Sequence, residues 1–135
     1  MNKAKLIQEA KAIRERAYVP YSKFKVGASL LTMDGTLYTG CNIENAAYPV
    51  TCCAERVAIF KAIADGHHEF KEIAVVADTE RPVPPCGACR QVMSEFFNPD
   101  GKIHTTNLHG NTRTVSMEEL LPFSFSSKDL QEETK

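Results

Sequence analysis

Apolar residues at helical spacing mark the start of the chain. A first helix, over residues 3 to about 18, is predicted by apolar residues that recur every three or four positions: Leu6, Ala10, Ile13 and Ala17. Alternation of apolar and polar positions then replaces this spacing. The alternating residues Val26, Ala28 and Leu30 predict a half-buried strand.

A hairpin follows the first strand. The Asp34-Gly35 pair is typical of a tight turn between antiparallel strands, so residues 36–41 are expected to return as a second strand. The next segment, residues 42–51, is a polar loop between a strand and a helix, which is a place where functional residues concentrate.

Two further helices and three strands are predicted in the rest of the chain. The helices extend from Cys53 to Gly66 and from Cys86 to about Phe97. Between them, the unbroken apolar run of residues 73–77 is typical of a central strand that is covered on both faces. Two strand-like segments, residues 102–108 and 112–115, complete the sheet.

This order of elements predicts an α/β domain in which helices cover both faces of a mixed five-stranded sheet, a three-layer α/β/α arrangement. The turn around Gly110 is too short for a crossover, so the last two strands are expected to be antiparallel. Ser116 and Glu119 have the spacing of a capping box and predict a short final helix. The 135 residues suit one domain (residues 1–135), with a polar tail from about Ser126.

Composition and charge narrow the classes of function. Apolar residues make up 43% of the chain and charged residues 24%, as in ordinary globular proteins. The 16 basic and 17 acidic residues form no block of one sign, so no nucleic-acid partner is expected. No apolar run approaches the ~20 residues of a membrane span. The N-terminus does not resemble a signal peptide, so a cytoplasmic protein without membrane contact is expected.

Five cysteines are many for a chain of this size, and their odd number argues against a disulfide framework. Cys86 and Cys89 are three positions apart, which puts both sulfurs on one side of the first turn of a helix. Cys53 begins the other helix, so three thiolates converge if the two helix starts meet. A zinc ion with three protein ligands keeps its fourth position for water, which distinguishes a catalytic site from a structural one.

Two charged residues closely follow the first of these cysteines. The Glu55 carboxylate can carry protons beside a zinc ion without binding it, so Glu55 is the candidate catalytic acid and base. Three thiolates leave the zinc centre with a net negative charge, which weakens zinc as a Lewis acid. The two helix N-termini and the Arg56 guanidinium are expected to offset that charge.

A structural zinc site is the alternative interpretation. Its fourth ligand would be Cys52, His67 or His68, but adjacent cysteines rarely reach one ion, and both histidines lie at the far end of the second helix. Cys41 and Cys52 are interpreted instead as small buried hydrophobic residues. In a non-enzymatic zinc-binding module, Glu55 would have no role.

Four segments resemble the small homotetrameric cytidine deaminases, within a stretch from Tyr18 to about Ser127. The segments are residues 21–28 (YSKFKVGA), 40–48 (GCNIENAAY), 53–56 (CAER) and 85–91 (PCGACRQ). The last two fit any member of the deaminase superfamily, whereas the first two resemble a nucleoside pocket. The resemblance implies a cytidine deaminase-like fold, one Zn²⁺ per subunit and a homotetramer. It also implies hydrolytic deamination of cytidine and 2′-deoxycytidine to uridine and 2′-deoxyuridine with release of ammonia, as in pyrimidine salvage.

The resemblance also assigns roles to individual residues of the pocket. Phe24 packs against the pyrimidine ring, and Asn42 and Glu44 hydrogen-bond the ribose 3′-hydroxyl. The Ala54 backbone reads the polar edge of the base together with Glu55. Neighbouring subunits complete the pocket through three further residues: Ala46, Tyr48 and Phe125.

Rival substrates belong to the same reaction class. They are another cytosine nucleoside, such as a nucleoside antibiotic, and the free base, although a free-base enzyme has no need for Asn42 and Glu44. A deaminase acting on DNA or RNA would need a basic groove, which the balance of charges argues against. A small-molecule nucleoside is therefore the expected partner.

Overall fold

Five strands form one mixed sheet in the computed structural model of the chain, which describes residues 1–130. The strands are β1 (Val26–Thr32), β2 (Leu37–Cys41), β3 (Phe70–Ala77), β4 (Phe97–Thr106) and β5 (Thr112–Ser116). Their spatial order is β2-β1-β3-β4-β5, in which β3 and β4 are parallel and the other neighbouring pairs are antiparallel. The predicted mixed five-stranded sheet and the antiparallel pairing of the last two strands are confirmed.

Helices cover both faces of this sheet. They are α1 (Lys3–Arg14), α2 (Ala54–Ala64), α3 (Gly87–Phe96) and α4 (Met117–Leu120), with short 3-10 turns at Tyr48–Val50 and Ser127–Leu130. On one face, α1 packs through Leu6 and Ala10 against the sheet residues Ala74 and Val76. On the other face, α2, α3 and α4 enclose a larger core, which includes Leu30, Ile59, Ile73, Met93, Ile103 and Leu120. The predicted three-layer arrangement is confirmed.

Local signals in the sequence account for several of these boundaries. The hairpin between β1 and β2 turns at Gly35, whose φ of 90° is a left-handed conformation that glycine adopts without steric cost. The Ser116 side chain accepts a hydrogen bond from the Glu119 backbone N–H at 3.1 Å, and the Glu119 carboxylate accepts one from the Ser116 N–H at 2.9 Å. This reciprocal pair is the predicted capping box at the start of α4.

Other predictions were wrong at element ends. Helix α1 ends at Arg14 rather than near Tyr18, because the Arg16 N–H bonds the Ile13 carbonyl in a tighter turn, at 2.9 Å. The Tyr18 N–H then donates a hydrogen bond to the Asn42 carbonyl at 3.0 Å, so a contact with a distant residue takes the place of a further helical hydrogen bond. Strand β4 starts at Phe97, directly after α3, and ends at Thr106, earlier than predicted.

Strand β1 was predicted to be half-buried, which was also wrong. All of its residues after Val26 are buried, because β1 lies between β2 and β3 and is covered by helices on both faces. The predicted polar tail from Ser126 begins with the 3-10 turn Ser127–Leu130, and residues 131–135 of that tail lie outside the described residues.

The direction of the strands determines where the two helices with cysteines begin. Strands β2 and β3 are both antiparallel to β1, so they run in the same direction and end at the same edge of the sheet. The chain leaves β2 through a loop that leads into α2, and it leaves β3 through a loop that leads into α3. Both helices therefore begin at that edge, which we call the C-terminal edge.

Gly40 lets α2 lie directly on β2. A Cβ atom at this position would lie 2.5 Å from the Ala58 backbone nitrogen and 2.6 Å from the Ala54 carbonyl oxygen. The absence of a side chain thus sets how closely the N-terminal half of α2 approaches the sheet. Within residues 1–130, no helix combines the length and the apolar composition that a membrane span requires.

Candidate active site

Three cysteine side chains meet at the C-terminal edge. Cys53 is the N-cap residue of α2, Cys86 is the N-cap residue of α3, and Cys89 is buried in the first turn of α3. Their Sγ atoms all lie within 4.8 Å of one another, and those of Cys53 and Cys86 are 4.0 Å apart. The sequence prediction that the two helix starts meet is correct.

The spacing of the thiols fits a zinc ion. Two sulfurs bound at 2.3 Å to a tetrahedral zinc are separated by about 3.8 Å, close to the distance between Cys53 and Cys86. Among residues 1–130, these three cysteines are the one group of at least three side chains that could hold a metal. Cys52 does not belong to it, and its backbone pairs with Ile43 instead. His67 lies beside Asp34 at 3.6 Å, at the other end of α2.

The thiol group lies in a positive environment. The Arg56 guanidinium donates a hydrogen bond from Nη2 to the Cys53 Sγ at 3.3 Å. A hydrogen bond from Cys89, together with the Arg56 guanidinium, holds the pKa of Cys53 well below its usual range, although burial opposes the shift. The N-termini of α2 and α3 also favour thiolates at these positions. Cys53 is therefore suited to bind a metal as a thiolate.

Glu55 lies in the first turn of α2, beside the thiols but outside their group. Its side chain is 5% exposed, and burial raises the pKa of Glu55 to about 7. A carboxyl group with a pKa near 7 both takes up and releases protons easily at neutral pH. Such a group is suited to proton transfer.

A cavity of about 290 Å³ opens next to these residues. Its lining includes eight residues that the sequence singled out: Phe24, Asn42, Glu44, Tyr48, Cys53, Ala54, Glu55 and Cys86. Apolar side chains of the central strands, among them Val26, Val75 and Ala77, form much of the remaining wall. A cavity with one aromatic face, a few polar groups and a carboxyl of raised pKa is typical of a site for a small planar ligand.

Two predicted pocket residues do not line this cavity within one chain. Ala46 is exposed on the loop before Tyr48–Val50, and the Phe125 side chain is 58% exposed near the C-terminal end of the described residues. Their predicted contribution to the pocket of a neighbouring subunit therefore stays a prediction.

Glu44 is buried and has four hydrogen-bond donors around its carboxylate. Oε1 accepts from the backbone N–H groups of Tyr21 and Ser22, at 3.0 and 3.1 Å. Oε2 accepts from the Ser22 hydroxyl and, at 3.4 Å, from the Tyr48 hydroxyl. Burial raises the pKa of Glu44, but these hydrogen bonds outweigh burial and leave the pKa below its usual value. Glu44 is thus an anion that also holds the loop around Ser22.

Asn42 holds the neighbouring part of the same loop. Its Oδ1 accepts a hydrogen bond from the Val26 N–H at 2.9 Å, and its Nδ2 donates one to the Phe24 carbonyl at 2.7 Å. The side chain of Phe24, which is 43% exposed, is thereby kept at the wall of the cavity. One N–H of the Asn42 amide stays available for a ligand.

Sequence reasoning missed several residues that line the cavity. Ser22 lies in a segment that was singled out as a whole, yet its hydroxyl was not assigned to Glu44. Val83 and Pro84 belong to the proline-rich loop directly before Cys86, which was treated as a connection between elements. Val83 and Pro84 lie just before Cys86, a predicted zinc ligand, and this closeness in sequence is the signal that could have identified them.

Comparison with known proteins places these features in a family context. The model of the "cytidine and deoxycytidylate deaminase zinc-binding region" matches residues 1–104. A cytidine deaminase of Sporosarcina psychrophila is 59% identical over 130 residues, covering 96% of each chain. A cytidine deaminase of Halalkalibacterium halodurans is 53% identical over 132 residues, covering 98% of this chain and 100% of the relative. The crystal structure of a cytidine deaminase from Burkholderia pseudomallei superposes with a TM-score of 0.90 at 51% identity, covering 93% of this chain and 100% of its own.

The zinc ligands can be separated from the neighbouring cysteine by substitution. Cys86→Ala and Cys89→Ala should purify with little zinc, because two thiolates hold the ion far less well than three. Cys52→Ala is the matched control and should keep one zinc per chain, as its side chain lies outside the thiol group. Elemental analysis after gel filtration measures the zinc content of each variant. Zinc loss in Cys52→Ala would instead indicate a fourth protein ligand and a structural site.

Proposed function

The chain belongs to the cytidine and deoxycytidylate deaminase family, and we propose that it deaminates cytidine and 2′-deoxycytidine hydrolytically. The products are uridine or 2′-deoxyuridine and one ammonia for each water consumed. The observation that carries this proposal is the buried Glu55 carboxyl at the junction of the nucleoside-sized cavity and the three thiols. A purely structural zinc site has no use for a carboxyl group in that position.

The cofactor of this family is zinc, and the residues that would hold it here are Cys53, Cys86 and Cys89. When bound, zinc with three protein ligands lowers the pKa of a coordinated water to about 7, which supplies the nucleophile for C4 of the base. Arg56 offsets part of the thiolate charge through its hydrogen bond to Cys53. The five unpaired thiols suit a reducing compartment, in keeping with the expected cytoplasmic location.

Glu55 moves the protons of the reaction. It takes up a proton from the attacking water and passes it to the ring nitrogen N3, which makes C4 more electrophilic. It then takes the remaining proton from the hydroxyl group now on C4 and delivers it to the exocyclic amine, so that the C4–N bond breaks, ammonia leaves and the C4 carbonyl of uridine forms. A carboxyl with a pKa of about 7 suits both transfers, since neither the acid nor the base form is strongly preferred.

The remaining residues of the cavity orient the nucleoside. The Phe24 ring lies at the wall of the cavity and would stack on the pyrimidine face. The Ala54 backbone belongs to the first turn of α2, where N–H groups have no partner within the helix and can bind the polar edge of the base. Asn42 and Glu44 would bind the ribose 3′-hydroxyl. A free base would leave both of these polar side chains without a ligand, so the nucleoside is the substrate that the cavity fits best.

We also propose that the active form is a homotetramer in which neighbours complete each pocket through Ala46 and Phe125. Tyr48, which the resemblance also assigned to a neighbour, instead lines the cavity of its own chain and contacts its own Glu44. The support is the exposed apolar surface around the entrance of the cavity. Tyr48 is 54% exposed, and the nearby Val50 is 66% exposed, although both belong to the segment that borders the nucleoside cavity. Apolar side chains clustered beside a site in this way are typical of an interface.

The role of Glu55 is tested by Glu55→Gln, which keeps the size and polarity of the side chain but cannot take up a proton. We expect kcat for cytidine to fall by about 10²–10⁴-fold, the usual contribution of a general acid and base. Zinc content should stay at the wild-type level, because Glu55 lies outside the thiol group. Ultraviolet absorbance follows the loss of cytidine.

Two results would contradict this assignment. Near-normal turnover of Glu55→Gln would favour a zinc-binding module or another proton carrier, and loss of zinc would make Glu55 a ligand. Arg56→Gln is the companion variant. It should retain zinc and turn over more slowly, because the thiolate charge is then offset only by the helix N-termini.

Recognition of the sugar is tested by Glu44→Gln with two substrates. Gln keeps an acceptor for the Tyr21 and Ser22 N–H groups, so the loop should stay folded. For cytidine, kcat/KM should fall about 10- to 100-fold, as expected when a hydrogen bond to a charged group is lost. For 3′-deoxycytidine, which lacks the hydroxyl, wild type and variant should differ little. An equal loss with both substrates would mean that Glu44 acts only on the loop.

The shared pocket is tested by subunit complementation. Glu55→Gln subunits keep Phe125, and Phe125→Ala subunits keep Glu55, so each kind of tetramer alone should be poorly active. Mixed tetramers should regain activity, because a pocket with an intact Glu55 can receive Phe125 from a neighbour. Co-expression with two affinity tags isolates the mixed species, and sedimentation should give four times the chain mass of 15.0 kDa. A monomer, or no recovery on mixing, would contradict the proposal.

A further inference from the structure

A second concave site lies behind the loop that leads to Cys86. It is a pocket of about 430 Å³, and it is lined by Arg81, Arg90 and Arg113 together with Glu119 and Pro84. The three arginines come from different elements: the loop after β3, helix α3 and strand β5. We call this site the arginine pocket. The catalytic mechanism uses none of its arginines.

The positive charge of the arginine pocket has little compensation. The ion pairs within residues 1–130 include neither Arg81 nor Arg113, and no hydrogen bond from either guanidinium occurs there. The one carboxylate in the lining, Glu119, accepts a hydrogen bond from the Ser116 N–H in the capping box and offsets part of the charge of Arg113, which leaves three guanidinium groups against one carboxylate. Three guanidinium groups that line one concavity add their positive potentials there and favour the binding of an anion.

Arg90 gives the pocket a rigid wall. Its Nε donates to the Pro85 carbonyl and its Nη1 to the Leu120 carbonyl, both at 2.9 Å. The guanidinium is therefore fixed between the loop that precedes Cys86 and the end of α4. Its remaining nitrogen and the guanidinium groups of Arg81 and Arg113 are left as donors, and planar donors of this kind recognise phosphate oxygens in pairs.

We propose that the arginine pocket binds a small polyphosphate, either inorganic pyrophosphate or the phosphate chain of a nucleotide. Two phosphate groups offer enough oxygens for guanidinium groups on three different elements, whereas one carboxylate offers two. The volume of the pocket exceeds that of the nucleoside cavity, so a ligand larger than one phosphate can enter. The overall charge of the chain is -1, so the attraction is local to this site.

The arginine pocket is coupled to the nucleoside cavity through Pro84. This residue lines both cavities, and Val83 beside it lines the nucleoside cavity. A polyphosphate that draws Arg81 toward Arg90 and Arg113 pulls on the loop that carries Pro84. The wall that the two cavities share is then displaced from the position that fits the nucleoside, so KM for cytidine rises while kcat changes little. The coupling rests on the proposed deaminase function, but binding of the polyphosphate does not.

Calorimetry with pyrophosphate on the zinc-loaded protein at low salt tests the binding, and it needs no turnover. We expect saturable binding that weakens at least tenfold in the double variant Arg81→Gln/Arg113→Gln, with smaller losses in each single variant. The control is Lys71→Gln/Lys102→Gln, which removes two exposed positive charges near the start of β3 and on the adjacent part of β4 and should bind as wild type. Equal binding by all the proteins, or no saturable binding, would overturn the proposal.

Kinetics then test the coupling and identify the source of the phosphate. KM for cytidine should rise two- to fivefold and level off as pyrophosphate saturates, whereas competition inside the nucleoside cavity would not level off. The effect should vanish in the double arginine variant, whose basal kinetics should match wild type.

Tighter binding of uridine triphosphate than of pyrophosphate would assign the site to nucleotides, and equal binding would assign it to inorganic pyrophosphate. Zinc content measured after each incubation excludes chelation as the cause of a rise, and a rise that persists in the double variant would overturn the coupling.

Discussion

The convergence of two helix N-termini at one edge of the sheet is the arrangement on which the site depends. Strands β2 and β3 run in the same direction because both are antiparallel to β1, so the helices that follow them start side by side. Cys53 and Cys86 are the N-cap residues of these helices, and neither side chain caps its own helix by a hydrogen bond. The thiols therefore project toward each other. A change in the direction of either strand would separate the ligands by the length of the sheet.

The same arrangement sets the electrostatics of the site. Helix N-termini and the Arg56 guanidinium stabilise negative charge on sulfur, whereas burial next to these sulfurs destabilises negative charge on Glu55. The pKa of Cys53 is lowered and the pKa of Glu55 is raised, although the residues are two positions apart. Opposite shifts in neighbouring groups suit Cys53 to the proposed role of metal ligand and Glu55 to the proposed role of proton carrier.

Sequence signals predicted those parts of the molecule that depend on local chemistry. The turn at Gly35, the capping box at Ser116 and the two helix starts at cysteines each require few residues, and all three are present. Features that depend on distant contacts were missed. The segment after α1 is held by a bond between Tyr18 and Asn42, and the full burial of β1 depends on its position between β2 and β3 and on helices packed against both of its faces. The Ser22 hydroxyl at Glu44 joins positions 22 residues apart, a distance that no local pattern can indicate.

The loop that carries Phe24 shows that Asn42 and Glu44, the residues proposed to bind the ribose, also have structural roles. Lys23 has a φ of 62°, a left-handed conformation that costs a residue with a side chain about 1–2 kcal/mol. Glu44 holds the backbone just before Lys23, and Asn42 holds the backbone just after it, so hydrogen bonds on both sides offset this strain. The loop is thus ordered before a nucleoside binds, which lowers the entropic cost of binding. The longest contact of the Glu44 carboxylate, at 3.4 Å to the Tyr48 hydroxyl, is also its weakest. A ribose hydroxyl bound to Glu44 as proposed would displace only this contact and leave the bonds that hold the loop in place.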